Sequence, residues 1–105
     1  GNYKDTIRDS GPIYVSQNIE NDKIILKFKY ASKGLVLKKQ ETSGFEIASE
    51  DKKYVEANVK IIGDMIVCSN PAIRSPKFVR YAFYNASVAT LFNKEGLPAP
   101  TFQTK

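Results

Sequence analysis

Along most of this chain, hydrophobic and polar residues alternate with a period of two, and turn-forming residues interrupt the alternation roughly every 8 to 12 positions. The clearest run is residues 23–30. Ile24, Leu26, Phe28 and Tyr30 share one face there, and Lys23, Ile25, Lys27 and Lys29 share the other. Residues 54–61 repeat the pattern, with Val55, Ala57, Val59 and Ile61 inward and Glu56, Asn58 and Lys60 outward. Residues 78–84 place Val79, Tyr81 and Phe83 on a buried face and Arg80 on the opposite one. Shorter strands are predicted at residues 12–17, 35–37, 44–48 and 65–69. Pro12 suits the start of an edge strand, where its missing N–H takes nothing from a ladder.

The interruptions carry turn chemistry. Asn21-Asp22 and Gly63-Asp64 are short hairpin signals, Lys33-Gly34 breaks the chain between strands, and residues 40–43 and 49–53 are polar loops. Residues 70–76 read as irregular, with one short helical turn begun by Pro71. The segments 19–26 and 61–68 look alike as two hairpins of one kind, and two copies do not make a solenoid. Seven or eight short strands without an amphipathic helix predict an all-β fold, an antiparallel β-sandwich of immunoglobulin-like size; a jelly-roll is the alternative.

A chain of 105 residues holds one core. Residues 1–10 read as a linker, the turn at Ser10-Gly11-Pro12 as a boundary, and residues 11–105 as the sandwich domain. A start at Gly1 without Met is what a segment cut from a longer polypeptide would show. No apolar run approaches the roughly 18 to 20 residues of a membrane-spanning helix, so no membrane partner is expected. The net charge of +5 is spread over scattered lysines with only three arginines. That pattern describes a solvated surface and argues against a nucleic-acid footprint, which gathers its cations.

Candidate chemistry is narrowed most by what is missing. The sequence has no histidine, which removes Ser-His-Asp and Cys-His catalysis and the commonest metal ligand together. Cys68 is the single cysteine and lies in an apolar strand pattern, where a thiol behaves as a small hydrophobe. The acidic neighbours Glu50-Asp51 and Glu20 with Asp22 fall in turns, where carboxylates are solvated rather than poised for proton transfer. No phosphate loop, calcium loop or metal-spaced cysteine set occurs. No catalytic, cofactor-binding or metal-binding residue is therefore assigned. Asn85-Ala-Ser87 fits a glycosylation triplet and reads as a turn. Among the tyrosines, Tyr30 and Tyr81 take core-facing registers, whereas Arg80 and Tyr84 share the outward one. Arg80 and Tyr84 are the candidate surface pair for a sugar or a neighbouring domain, set against a purely structural role for Arg80.

Several stretches carry a family likeness: Ser10-Gly-Pro-Ile-Tyr14, Lys23-Ile-Ile-Leu26, Gly34-Leu35, Gly44-Phe-Glu-Ile-Ala48, Val79-Arg-Tyr-Ala-Phe83 and Gly96-Leu-Pro-Ala-Pro-Thr-Phe102. Together they resemble the closing, C-terminal β-sandwich of sialate O-acetylesterases. The chain departs from that pattern at Phe83, where the family usually has Trp, at Ala86-Ser87, at Thr90, and at Gln103 and Lys105. The resemblance implies a parent whose SGNH-type catalytic domain removes O-acetyl groups from sialic acids or related sugars. That domain is absent from this chain, and none of its catalytic residues has a matching position here. The expected role is a non-catalytic accessory domain whose partner is the catalytic SGNH hydrolase domain of the same chain, with an acetylated glycan as the further partner. An independent carbohydrate-binding module is the alternative. The apolar tail, residues 97–102, is expected to lie along the neighbouring domain, and the resemblance implies an extracellular, periplasmic or lysosomal setting.

Overall fold

The structure is a computed structural model that describes residues 11–30, 34–38, 42–81 and 90–104. Within them lie ten strands and no helix: β1 Ile13–Glu20, β2 Lys23–Lys29, β3 Leu35–Leu37, β4 Phe45–Ala48, β5 Val55–Glu56, β6 Asn58–Ile62, β7 Met65–Ser69, β8 Phe78–Tyr81, β9 Leu91–Asn93 and β10 Phe102–Gln103. All pairings are antiparallel. A first sheet has the order β1-β2-β7-β6, a second β10-β8-β4-β5, and β3 pairs with β9 alongside them. This is the expected antiparallel β-sandwich.

Three details raise the strand count to ten. The predicted strand over 54–61 is really two. β5 pairs with β4 in the second sheet, β6 pairs with β7 in the first, and the chain changes sheets at buried Ala57. Its inward alternation still holds, because Val55, Val59 and Ile61 all pack on the core. The Ala57 N–H donates to the Phe45 carbonyl at 2.8 Å and its carbonyl accepts from Ser43 Oγ at 2.7 Å, so the crossing leaves its backbone satisfied.

The other two strands, β9 and β10, come from the C-terminal segment, and they correct the expectation that the tail reaches for a neighbour. Asn93 folds it back. Its side-chain oxygen accepts from the Glu95 and Leu97 N–H groups at 3.0 Å each, and the Ala99 N–H then donates to the Leu91 carbonyl at 2.9 Å. β10 completes the edge of the second sheet by pairing with β8. There Phe102 stands between the two sheets. It stacks on Tyr14 at 4.5 Å between centroids and meets Phe28, Phe45 and Tyr81 at 5.9, 6.3 and 6.0 Å. Ala99 and Phe102 of the apolar run thus join the chain's own core, while Pro98 and Pro100 stay exposed.

Two further expectations change. Tyr30 does not continue the inward face of β2: its φ of +61° ends the extended strand at Lys29, and the side chain is 41% exposed beside the Lys29 ammonium. Residues 70–76 carry one hydrogen-bonded turn over Pro71-Ala72 and no helix: the Ile73 N–H donates to the Asn70 carbonyl at 2.9 Å, and the Asn70 side chain accepts from the Ala72 N–H at 2.8 Å. The predicted extension of β8 to Tyr84, together with Phe83 and the Asn85 triplet, lies outside the described residues.

The segment before β1 lies against the segment before β10. Gly11 and Pro12 are buried, and a methyl group at Gly11 would run into the Pro98 carbonyl and lie 2.6 Å from the Leu97 oxygen. Only glycine allows two backbones to approach so closely. Gly11 and Leu97-Pro98 are therefore two sides of one contact.

If the tail is an element of this core, Phe102→Ala should lower the unfolding free energy of the isolated chain by about 2–4 kcal/mol, as large-to-small core changes do. Exposed Thr101→Ala should change it by less than about 0.5 kcal/mol. Urea unfolding followed by tyrosine fluorescence measures both, and equal, negligible effects would detach the tail from the core.

Candidate functional site

The predicted residue Arg80 lies on the outward face of β8, where the register lines up one side chain from each strand of the second sheet: Gln103, Arg80, Glu46 and Glu56. Outward does not mean open here. The Arg80 side chain is only 10% exposed. Its Nε donates to Glu46 Oε1 at 2.8 Å, and its guanidinium carbon lies 3.8 Å from the centroid of the Tyr54 ring. Gln103 Nε2 reaches the Tyr54 hydroxyl at 3.5 Å, so the ring is held from its rim as well as from its face.

Two carboxylates directly opposite on neighbouring strands repel each other. Glu46 and Glu56 stand in that relation, and each is drawn to a different partner: Glu46 to Arg80, Glu56 to the backbone N–H of Ser43 at 3.2 Å. Further along the same face the Lys52 ammonium sits 5.2 Å from the Phe78 ring, and Lys77 pairs with Glu50 at 3.2 Å. The result is a face covered by its own side chains. It joins β8 to β4 through the charge-assisted Arg80–Glu46 hydrogen bond and holds the Tyr54 ring against the guanidinium.

Tyr84, the proposed companion of Arg80, lies outside the described residues. Among the described residues, Glu46, Tyr54 and Gln103 lie around Arg80; Tyr54 is one of the tyrosines that the sequence offers for stacking and Gln103 a departure from the family pattern, but nothing in the sequence pairs either with Arg80. Alternation alone puts Tyr54 in the register of Glu56 and Glu46 between inward Phe45 and Ile47. The sheet order, a non-local property, is what brings them to Arg80.

The remaining candidates keep to their expected places. Cys68 is fully buried, and burial pushes its thiol up to about 12, far from any reactive thiolate at neutral pH. Asp51 accepts from the Lys53 N–H at 3.0 Å in a turn, and Asp22 pairs with Lys23 at 3.4 Å on the surface. Thr90, one of the departures from the family pattern, is buried and donates its hydroxyl to the Ser43 carbonyl at 2.6 Å.

A double-mutant cycle with Glu46→Gln and Arg80→Met isolates the central pair. Breaking a buried pair costs about 3–5 kcal/mol when both partners are dry. Glu46 is 35% exposed, and solvent screening brings the expected coupling down to about 1–2 kcal/mol. Additive losses would mean that the pair orders nothing.

No protein-family model matches the chain, and no curated protein sequence matches it. Among solved structures, its fold is similar to part of a carbohydrate acetylesterase from Xanthomonas citri, with a TM-score of 0.80 and 27% sequence identity over 91% of this chain. The match takes in 22% of the acetylesterase, so this chain corresponds to one small β domain within a much longer enzyme.

Proposed function

We propose that this chain is a non-catalytic accessory β-sandwich of a carbohydrate esterase, which packs on and stabilises an SGNH-type catalytic domain of the same polypeptide. The observation that carries this reading is the extent of the likeness: 91% of the chain corresponds to 22% of a carbohydrate acetylesterase. Two features of the chain support it. The sequence has no histidine to serve as general base, and its one cysteine is buried in the core. Arg80, held by Glu46 and Tyr54, acts in this reading as a stiffener of the second sheet.

The finer assignment follows the resemblance to sialate O-acetylesterases: the parent removes O-acetyl groups from sialic acids or related sugars, in an extracellular, periplasmic or lysosomal compartment. Under this assignment the domain contributes stability, and the chemistry resides in the catalytic half.

Two measurements on the isolated chain test the proposal. Incubation with 4-nitrophenyl acetate and with an O-acetylated sialic acid should release acetate no faster than buffer. An NMR titration with sialic acid, its O-acetylated form and a neutral oligosaccharide should leave the amide shifts unmoved up to millimolar ligand. Turnover would make the chain an enzyme, and saturable shifts around Arg80 and Tyr84 would make it a sugar-binding module; either result overturns the accessory role.

A further inference from the structure

The two outer faces of the sandwich differ. On the second sheet, Tyr54 lies against Arg80, Lys52 lies over Phe78, and Ala48 is fully buried although its pairing partner is the outward residue Phe78. Among the described residues no ring or ammonium is packed over the middle of the first sheet, where Ile25, Val67 and Met65 are half-buried. Its outward rows pair Ile25 with Val67 and Met65 with Ile62, giving an apolar strip across β2, β7 and β6 that ends in Ile62, 48% exposed. Isolated exposed apolar residues are ordinary, but a contiguous strip across the centre of a sheet marks a contact surface.

The strip has a cationic frame. Lys23, Lys27 and Lys29 share the outward register of β2, and Lys60 stands beside Val67 from β6; all four are exposed. Glu20 lies opposite Lys23 on β1, and Asp22 pairs with Lys23 at 3.4 Å, so Lys27, Lys29 and Lys60 carry the net positive charge of the frame. This distribution selects the occupant. A second copy would bring lysines against lysines, and the C–H face of a sugar stacks on aromatic rings, of which the strip Ile25, Val67, Met65 and Ile62 has none. An apolar protein surface edged with carboxylates matches both strip and frame.

Size agrees with a contact inside one polypeptide. Four strands at about 4.8 Å spacing and five paired residues at about 3.3 Å rise give a face on the order of 300 Å², or roughly 600 Å² counted on both partners. That is the lower end of the range of about 600–1,500 Å² for interfaces between domains.

We infer that the outer face of the first sheet, centred on Ile25, Val67, Met65 and Ile62 and framed by lysines, is where the domain docks on an acid-rimmed apolar surface of its catalytic domain. The inference rests on the accessory-domain reading above and adds its surface and partner chemistry. The second sheet, with Arg80, faces away from that contact.

Amine acetylation mapped by mass spectrometry tests this, comparing the native full-length polypeptide with the 105-residue chain alone. Lys23, Lys27, Lys29 and Lys60 should label several-fold more slowly in the native polypeptide, while Lys52, over Phe78 of the second sheet, and Lys77, just before β8, label equally in both. The double variant Lys27→Glu, Lys60→Glu, which changes only exposed positions, should restore fast labelling of Lys23 and Lys29. Protection of Lys52 and Lys77 instead, or equal labelling everywhere in a polypeptide that still hydrolyses acetyl esters, overturns the assigned face and leaves the accessory role intact. A native polypeptide with no hydrolase domain, revealed by its mass and its inactivity on acetyl esters, overturns the accessory reading and this inference with it.

Discussion

One phenolic oxygen closes the sandwich. The hydroxyl of fully buried Tyr81 accepts hydrogen bonds from the backbone N–H groups of Thr90 and Leu91 at 3.0 and 2.9 Å. Two buried amides at the start of the closing segment are satisfied by a side chain at the end of β8. Left without that oxygen, each would carry an unpaired-donor penalty of about 1–3 kcal/mol, comparable to a sizeable part of a small domain's stability. The same residue packs its ring against Phe45 at 4.6 Å and near Phe102, so one side chain joins the polar closure to the inter-sheet aromatic cluster.

Much of the architecture follows from that closure. With Leu91 fixed, Ala99 bonds back to it, Pro98 comes to rest on Gly11, and Phe102 enters between the sheets with β10 pairing on β8. Thr104 then ties the end to β8, its N–H donating to the Val79 carbonyl at 2.9 Å and its hydroxyl accepting from the Val79 N–H at 3.0 Å.

The sequence made some of this legible and hid the rest for physical reasons. Alternation located β2, β6, β7 and β8 and their inward residues, because a half-buried strand writes its two faces into consecutive positions. The hairpins at Asn21-Asp22 and Gly63-Asp64 were legible from turn chemistry alone, and Asn21 does adopt a left-handed φ of 58°. Strand partners were not legible. The sheet switch at Ala57, the meeting of Arg80 with Glu46 and Tyr54, and the return of Phe102 to its own core all depend on which distant strands become neighbours. Tyr30 shows the limit from the other side: the alternation includes it, and one residue of left-handed backbone removes it. The apolar tail invited an interdomain reading because exposure and burial look the same in a linear sequence. At the candidate site, the charge and position of Arg80 were legible, and the partners that bury it were not.

Native-state hydrogen exchange of the isolated chain tests most directly whether the closing segment belongs to one cooperative sandwich. If it does, the amides of Leu91, Ala99 and Thr104 exchange with the same free energy as the central amides of β2 and β7, through global unfolding alone. Fast exchange of those three amides, while β2 and β7 stay protected, would show a closing segment that opens by itself and would contradict the account.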